Sequence, residues 1–327
     1  MKEKILIIGA GQAGMQIASS LRDEGYAGDV TIVGEEAYAP YQRPPLSKAY
    51  LAGEMDEESL EFRNEHFYVE NNIGVVTGEQ IVHVEFGPDG GIAKGSSGKT
   101  YEFDKLALTP GADPRKLKVD GADLDGVLYM RHLDDAKELK KRWDSVNNVV
   151  VLGGGFIGLE VAAVAQKAGK NVTVLQSGTR LMGRAVSPIV SDFYKAAHEK
   201  RGTTVHLNAQ VSHLIGDAGK VTAVQLADGS VIPADIVMVG IGVTARGELA
   251  GQVLDDPERA LRHAPGHMAL LVGNDPVERV AHAQILFNVA SASLALPLSI
   301  DLAAMTAPSL RDIALPAPMI AAALFSR

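Results

Sequence analysis

Two segments of the chain share the spacing Gly-x-Gly-x-x-Gly and could bind the phosphates of dinucleotides. Each follows a short apolar run typical of a buried strand and precedes a segment with small residues at helical spacing. In this pattern the first glycine allows a sharp turn, the second lets backbone N–H groups approach a pyrophosphate, and the third permits close helix packing. The motif glycines are Gly9, Gly11 and Gly14 in the first segment, and Gly153, Gly155 and Gly158 in the second.

A polar residue ends the strand that follows each glycine segment, where a nucleotide ribose would lie. Glu35 comes about 20 residues after Gly14, and its carboxylate can accept hydrogen bonds from a ribose diol. Gln176 takes the corresponding place in the second copy, and an amide can also bind that diol. Two working sites would suit a flavin that stays bound and a nicotinamide that visits. The alternative is a structural duplication with one working site.

The order of elements around these motifs is repeated, which predicts an α/β fold with two Rossmann-like dinucleotide-binding domains. Residues 101–108, followed by Gly111, are echoed by residues 232–239, followed by Gly240. Each half is expected to contain strand, helix, strand, a helical stretch, a small antiparallel insertion and a returning strand. The second domain would be inserted into the first.

Composition restricts the chemistry that the chain can perform. The 327 residues carry a net charge of -9 without a basic run, so we expect no nucleic-acid partner. Cysteine is absent, which excludes a thiolate nucleophile and an iron–sulfur cluster held by this chain. The nine histidines show no metal-ligand spacing, so no metal site is expected. Redox chemistry would therefore need a bound organic cofactor.

Two apolar segments could be mistaken for targeting or membrane signals. Residues 5–8 pass directly into the first glycine turn without a cleavage region, which favours a strand in a cytoplasmic protein. Residues 280–300 contain no acidic or basic side chain, but His282, Asn288 and Pro297 interrupt them. We therefore expect no membrane span.

Residues 40–48, with the sequence PYQRPPLSK, resemble the signature of the FAD-dependent NAD(P)H ferredoxin reductases of bacterial oxygenase systems, such as the putidaredoxin, rhodocoxin and biphenyl dioxygenase reductases. Residues 153–162, 180–188 and 240–242 are similar again. The resemblance covers about residues 4–250 and places the chain in the pyridine nucleotide-disulfide oxidoreductase superfamily. It implies that electrons pass from NAD(P)H through FAD to a ferredoxin-type carrier. Rubredoxin, nitrite-pathway and quinone acceptors are alternatives, as is a nucleotide-binding remnant with little turnover.

The same resemblance implies roles for four side chains. Lys48 would lie beside the flavin and pair with Glu160 of the nicotinamide half. Such a cation would stabilise the negative charge that grows on the flavin as hydride arrives. Arg43 would lie near the flavin pyrophosphate, and Arg131 would contact the flavin. The alternative for each basic residue is a solvated surface charge.

The second half is expected to bind NADH in preference to NADPH. Gln176 would not repel a 2'-phosphate as a carboxylate does, but no cluster of basic residues between Gln176 and Arg180 forms a phosphate clamp. The resemblance adds Arg184 and Gly242 to the cofactor-binding residues.

The resemblance divides the chain into an FAD domain (1–112), an NAD(P) domain (113–242) and a divergent C-terminal segment (243–327). Relatives continue with a strand that ends in Gly-Asp and holds the flavin; residues 268–275 are the nearest candidate. The segment would either complete the FAD domain or be poorly ordered, and the C-terminal interface domain of relatives is expected to be missing. Either the tail has been replaced, or, as we favour, it is read out of the ancestral frame.

Overall fold

A computed structural model describes residues 3–87, 90–253 and 270–272 of the chain. Most of the tail discussed above, including residues 273–275 and 280–300, lies outside the described residues. In the described parts, no helix is long and apolar enough to cross a membrane.

A five-stranded sheet forms the centre of the first half, and its strands lie side by side in the order β18 (Leu270–Val272), β7 (Lys105–Leu108), β1 (Lys4–Ile8), β2 (Asp29–Val33) and β3 (Ile73–Val76). Strand β1 is buried from Ile5 to Ile8 because it lies between two parallel neighbours and is covered on both faces. The elements of this half are β1 (Lys4–Ile8), α1 (Gln12–Asp23), β2 (Asp29–Val33), α2 (Glu65–Glu70), β3 (Ile73–Val76), β4 (Ile81–Gly87), β5 (Gly90–Gly95), β6 (Thr100–Phe103) and β7 (Lys105–Leu108).

The second half repeats this plan around a sheet with strand order β12-β11-β10-β16-β9. Its central strand is also buried, from Val149 to Leu152. The elements are β8 (Ala112–Pro114), β9 (Val127–Leu128), α3 (Leu133–Arg142), β10 (Asn148–Leu152), α4 (Phe156–Lys167), β11 (Asn171–Gln176), α5 (Pro188–Lys200), β12 (Thr204–Leu207), β13 (Val211–Asp217), β14 (Lys220–Leu226), β15 (Val231–Pro233) and β16 (Ile236–Val239). The chain then returns to the first half through β17 (Val243–Ala245) and α6 (Glu248–Val253), and β18 (Leu270–Val272) pairs with β7.

The two halves agree in strand register. Ile8 pairs with Val33 and Leu108 in the first sheet, and Leu152 pairs with Leu175 in the second. The carboxyl ends of the central parallel strands are therefore level, and the glycine turns lie at those ends. Each half also contains a three-stranded antiparallel insertion, β4-β5-β6 in the first and β13-β14-β15 in the second. The predicted fold class and the repeated order of elements are confirmed.

A short antiparallel ribbon of β8 and β17 connects the halves, with Pro114 paired to Val243. A continuous apolar core also passes between the halves, and it joins Leu46 and Leu60 of the first to Leu159 and Leu181 of the second. The glycine turn of each half is consequently held in a fixed position relative to the other.

Candidate functional site

One large cleft, with a volume of about 890 Å³, lies at the carboxyl end of the first sheet and extends towards α4 of the second half. Its walls come from the first glycine turn, the end of β2, the segment that contains the PYQRPPLSK motif and the start of α4. Seven of the residues predicted from the sequence line it, namely Gly9, Gly11, Glu35, Arg43, Lys48, Arg131 and Glu160.

The first glycine turn is shaped by close backbone contacts. Gly9 has a φ of 112°, and a Cβ there would lie 2.0 Å from the carbonyl oxygen of Thr109, so only glycine fits. Gly14 packs so closely that a Cβ would lie 2.1 Å from the carbonyl oxygen of Gly9. Gly11 differs, because it caps α1 and a Cβ would meet no atom within 4 Å. The backbone of Gly11 is thus open to a ligand in the cleft.

The second turn has the same construction. A Cβ at Gly153 would lie 2.3 Å from the carbonyl oxygen of Gly240, and one at Gly158 would lie 2.3 Å from that of Gly153. Gly155 caps α4 and, like Gly11, has open space where a side chain would project. These three glycines do not line the large cleft, but their neighbours Phe156, Ile157 and Glu160 do.

Gln176 lies at this second turn and is already engaged in it. Its side-chain oxygen accepts a hydrogen bond from the backbone N–H of Gly154 at 2.7 Å. The amide nitrogen is the part of Gln176 that remains to bind a ribose hydroxyl. Gly242 follows β16 and accepts a hydrogen bond from the backbone N–H of Arg115 at 2.9 Å. Arg184 is exposed in the segment before α5, outside the cleft lining.

Glu35 is paired with an arginine that the sequence did not single out. Arg246, just after β17, places Nη1 2.6 Å from Glu35 and Nη2 2.6 Å from Asp113. All three side chains line the cleft. The hydrogen bonds to Asp113, and then those to Glu35, hold the pKa of Arg246 above its ordinary value. Arg246 therefore offsets one of the two negative charges at this end of the cleft.

Arg43 belongs to a second charged network around Glu36. Its guanidinium lies 2.5 Å from one carboxylate oxygen of Glu36, and Tyr41 donates to the other at 2.6 Å. Burial alone would raise the pKa of Glu36, but the hydrogen bond from His132, the charge of Arg43 and the Tyr41 hydroxyl together lower it to about 2. The network fixes Arg43 at the cleft wall next to the start of α3.

Arg131 is the least compensated cation in the cleft. Among the described residues, no hydrogen-bond partner is found for its buried Nε atom. Burial, and then the neighbouring charges of Arg43 and Arg246, lowers the pKa of Arg131 below its ordinary value. A buried donor without a partner is costly, so this position favours an anionic ligand that would accept from it.

Lys48 and Glu160 meet across the two halves. Lys48 follows the 3-10 turn Pro44–Ser47, and Glu160 projects from the first turns of α4. The Lys48 ammonium lies 2.9 Å from Glu160 Oε1, and the Ser47 hydroxyl donates to Glu160 Oε2 at 2.5 Å. The pairing expected from the resemblance is present in the structure.

These features fit an extended, anionic dinucleotide such as FAD. The open backbone at Gly11 suits a pyrophosphate, the buried Nε of Arg131 needs an acceptor, and Glu35 keeps a second carboxylate oxygen beside the one paired with Arg246. In the described parts of the chain, no cluster of His, Asp or Glu could hold a metal ion.

Sequence reasoning missed Arg246, Glu36 and Asp113 as parts of the site. Arg246 approaches Glu35 only because the ribbon of β8 and β17 returns the chain to the first half, 211 positions away. No local spacing indicates such a contact. Glu36 could have been noticed, because it is adjacent to Glu35 at the end of a predicted strand.

Comparison with known proteins supports the resemblance. The family described as pyridine nucleotide-disulphide oxidoreductase matches residues 3–258. Rubredoxin-NAD(+) reductase of Pseudomonas putida is 40% identical over 264 residues, which cover 78% of this chain and 68% of that protein. Rhodocoxin reductase of Rhodococcus erythropolis is 42% identical over 246 residues, which cover 75% of this chain and 57% of that protein.

Solved structures give the same result. The ferredoxin reductase for the CYP199A2 system from Rhodopseudomonas palustris superposes with a TM-score of 0.73 at 39% identity, covering 76% of this chain and 61% of that one. Putidaredoxin reductase in its covalent complex with putidaredoxin gives 0.72 at 37% identity, with 76% and 60% covered. The chain thus spans about three fifths to two thirds of the length of these relatives. On its sequence and its fold, the chain belongs to the pyridine nucleotide-disulphide oxidoreductase family.

Proposed function

We propose that the chain is a flavoprotein oxidoreductase that passes electrons from NADH, through FAD, to a ferredoxin-type iron–sulfur protein. The observation that carries the proposal is the Lys48–Glu160 ion pair, 2.9 Å long, which lies in the cleft where the two dinucleotide-binding halves meet. The relatives support the acceptor class, since they include reductases named for rubredoxin, rhodocoxin and putidaredoxin.

The residues of the first half would hold the flavin dinucleotide. The backbone N–H groups at Gly11 and the N-terminus of α1 would bind its pyrophosphate. Glu35 would accept from a ribose hydroxyl, and Arg43 and Arg131 would offset the phosphate charge. FAD supplies an acceptor for an electron pair that can be returned as single electrons.

Lys48 would contribute a fixed positive charge to the reaction. Its ammonium is held by Glu160 and by the carbonyl oxygen of Pro44, at 3.2 Å. A preorganised cation beside the reacting group stabilises negative charge that develops there, and this needs no reorganisation of solvent. Phe156 and Ile157, at the start of α4, also line the cleft and would help to exclude water.

The second half would bind the nicotinamide donor at the N-terminus of α4, with Gly153, Gly155 and Gly158 shaping the turn. Arg180 is largely engaged within its own segment, because Nη1 donates to the carbonyl of Val186 and Nη2 donates to that of Gly183, each at 2.6 Å. This supports NADH rather than NADPH as the donor. Arg184 and Gly242 remain predicted cofactor contacts.

The domain division is part of the proposal. An FAD domain (1–112) and an NAD(P) domain (113–242) are supported by the two separate parallel sheets and by the crossing of the chain at the β8–β17 ribbon. We also propose a cytoplasmic location, where reduced nicotinamide dinucleotides are available to the enzyme.

A visible spectrum of the purified protein tests the function directly. After incubation with FAD and gel filtration, the protein should retain yellow flavin, and anaerobic NADH should bleach it. Subsequent addition of an oxidised ferredoxin-type protein should restore the flavin absorbance while the carrier becomes reduced. A protein that retains no flavin, or retains flavin that NADH does not bleach, would contradict the proposal.

A further inference from the structure

The Ser47 side chain contacts Glu160, the same residue that pairs with Lys48. Its side chain is buried, with 3% of the residue exposed, and its hydroxyl donates to Glu160 Oε2 at 2.5 Å. The neighbouring residue, Lys48, holds the other oxygen of the same carboxylate. Two consecutive residues of the first half therefore hold both oxygens of one side chain in the second half.

The two contacts differ in how firmly they fix Glu160. The side chains of Lys48 and Glu160 are 30% and 24% exposed, and a lysine stem has many rotamers. Partly exposed ion pairs of this kind fix geometry weakly. A single rotatable bond separates the serine hydroxyl from the backbone, and this backbone belongs to the Pro44–Ser47 turn, in which Leu46 is also buried. Ser47 is thus the more rigid anchor of the carboxylate.

We propose that Ser47 is a positioning residue that fixes the Glu160 carboxylate and, through it, the Lys48 ammonium. This inference rests on the proposed flavin chemistry for its effect on rate, but the contact itself can be tested without flavin. With Ser47 in place, the carboxylate presents Oε1 to Lys48 and keeps the cation in the cleft. Without the Ser47 hydroxyl, the Glu160 carboxylate can rotate. The Lys48 ammonium then either moves with the carboxylate or loses this ion pair.

A double-mutant cycle tests the contact in the full chain without added flavin. The melting temperatures of Ser47→Ala, Glu160→Ala and the double variant should not be additive, and the double variant should melt within about 1 °C of Glu160→Ala. The reason is that Glu160→Ala already leaves the buried hydroxyl without its acceptor. As a matched control, exposed Ser145, which donates to the carbonyl of Arg142, should give additive shifts with Glu160→Ala. Additive shifts for Ser47 would overturn the proposal.

A second measurement tests the positioning role in the flavin-loaded protein. Ser47→Ala should slow anaerobic single-turnover reduction by NADH about tenfold, and Ser47→Thr, which keeps the hydroxyl, should stay within about threefold of the wild type. In the Glu160→Ala background, Ser47→Ala should cause no further loss. A further loss of similar size there, or an unchanged rate in Ser47→Ala, would show that Ser47 does not act through Glu160.

The two measurements separate this inference from the proposed function. If the wild-type protein is not reduced by NADH, the proposed function fails, while non-additive melting temperatures still show that Ser47 holds the Glu160 carboxylate. If the wild type is reduced but the melting temperatures are additive, only the Ser47 inference fails.

Discussion

Arg246 lies 2.6 Å from Glu35, although 211 positions separate them in the sequence. The arginine is also bound to Asp113, so one guanidinium pairs with two carboxylates and offsets half of their charge in the cleft wall. The carboxylate predicted to bind a ribose is therefore already in an ion pair. The ion pairs reduce the repulsion that this wall would exert on an anionic ligand.

Removal of this cation should weaken FAD binding. In Arg246→Met, Glu35 and Asp113 would face the ligand with uncompensated negative charge, so we expect the FAD dissociation constant to rise about tenfold, equal to about 1.4 kcal/mol. Flavin fluorescence quenching during titration of the flavin-free protein measures it. Arg246→Lys should retain most of the affinity, and Arg201→Met, at the exposed residue that follows α5, should retain all of it. Equal or tighter binding by Arg246→Met would contradict the prediction.

Glu36 should make stability depend on pH in the acidic range. Its pKa is about 2 in the folded protein, below its ordinary value of 4.5. A lowered carboxyl pKa stabilises the fold above pH 4.5, and this contribution is lost as the pH falls from 4.5 towards 2. We expect Glu36→Gln to lose on the order of 2 kcal/mol at pH 7 and progressively less below pH 4.5.

Urea unfolding of the wild type and of Glu36→Gln between pH 7 and about pH 3 provides the measurement. Exposed Glu58 supplies the control, since Glu58→Gln should follow the wild-type curve. Parallel curves for Glu36→Gln and the wild type over the whole range would mean that the network around Arg43 does not stabilise the fold.

Substitution of Gly11 and substitution of Gly155 should each abolish the binding of a different ligand while the fold is kept. A Cβ at Gly11 or Gly155 meets nothing within 4 Å, so Gly11→Val and Gly155→Val should melt within a few degrees of the wild type. Gly11→Val should lose FAD, and Gly155→Val should keep FAD but lose NADH, because each side chain occupies the space of a pyrophosphate. Calorimetric titration of each variant with FAD and with NADH measures the two affinities. Loss of the same ligand in both variants would show that the assignment of ligands to halves is wrong.

Lys48→Ala should slow the reduction of flavin more than it weakens nicotinamide binding. The lost charge would act on the reacting flavin, so a ten- to hundredfold decrease in the single-turnover rate is expected, about 1.4 to 2.7 kcal/mol. Lys167→Ala is the matched control, because Lys167 also forms an ion pair, with Glu54, but its side chain is 75% exposed. If Lys48→Ala is reduced at the wild-type rate, Lys48 is a surface charge only.

Gln176→Glu should increase the preference of the protein for NADH over NADPH. The carboxylate can keep the hydrogen bond from the Gly154 N–H and would repel a 2'-phosphate. The wild type is expected to prefer NADH by about tenfold or less, and the variant by more. Calorimetric titration with NADH and with NADPH measures the two affinities. Tighter binding of NADPH than of NADH by the wild type would refute the prediction.

The sequence was sufficient to predict the repeated fold because its signals are local. Apolar runs before each glycine segment indicate the strands, and Ile17, Ala18 and Leu21 mark the buried face of α1, as the structure confirms. The same pattern does not define the residues at which α1 begins and ends, Gln12 and Asp23. Such ends depend on capping detail that periodicity does not contain.

Only some of the polar contacts in the site could be predicted from the sequence. Lys48 and Glu160 could be paired because a family resemblance links their motifs, and Ser47 lay inside one of them unnoticed. The contacts of Arg246 and the engagement of Gln176 by Gly154 depend on how distant strands align at one edge of the sheets. Such alignment is a property of the tertiary structure, which a single sequence does not display.

The β8–β17 ribbon bears on how such a chain could have evolved. Because Pro114 and Val243 are paired, the chain leaves the first half and returns to it at adjacent points. A duplicated copy of the first half could therefore have been accepted at this one place by a single recombination event, since the parent sheet would keep its own strand neighbours. Later lengthening or exchange of the second half would likewise leave the parent sheet continuous, which makes the ribbon a natural junction for building chimeric reductases.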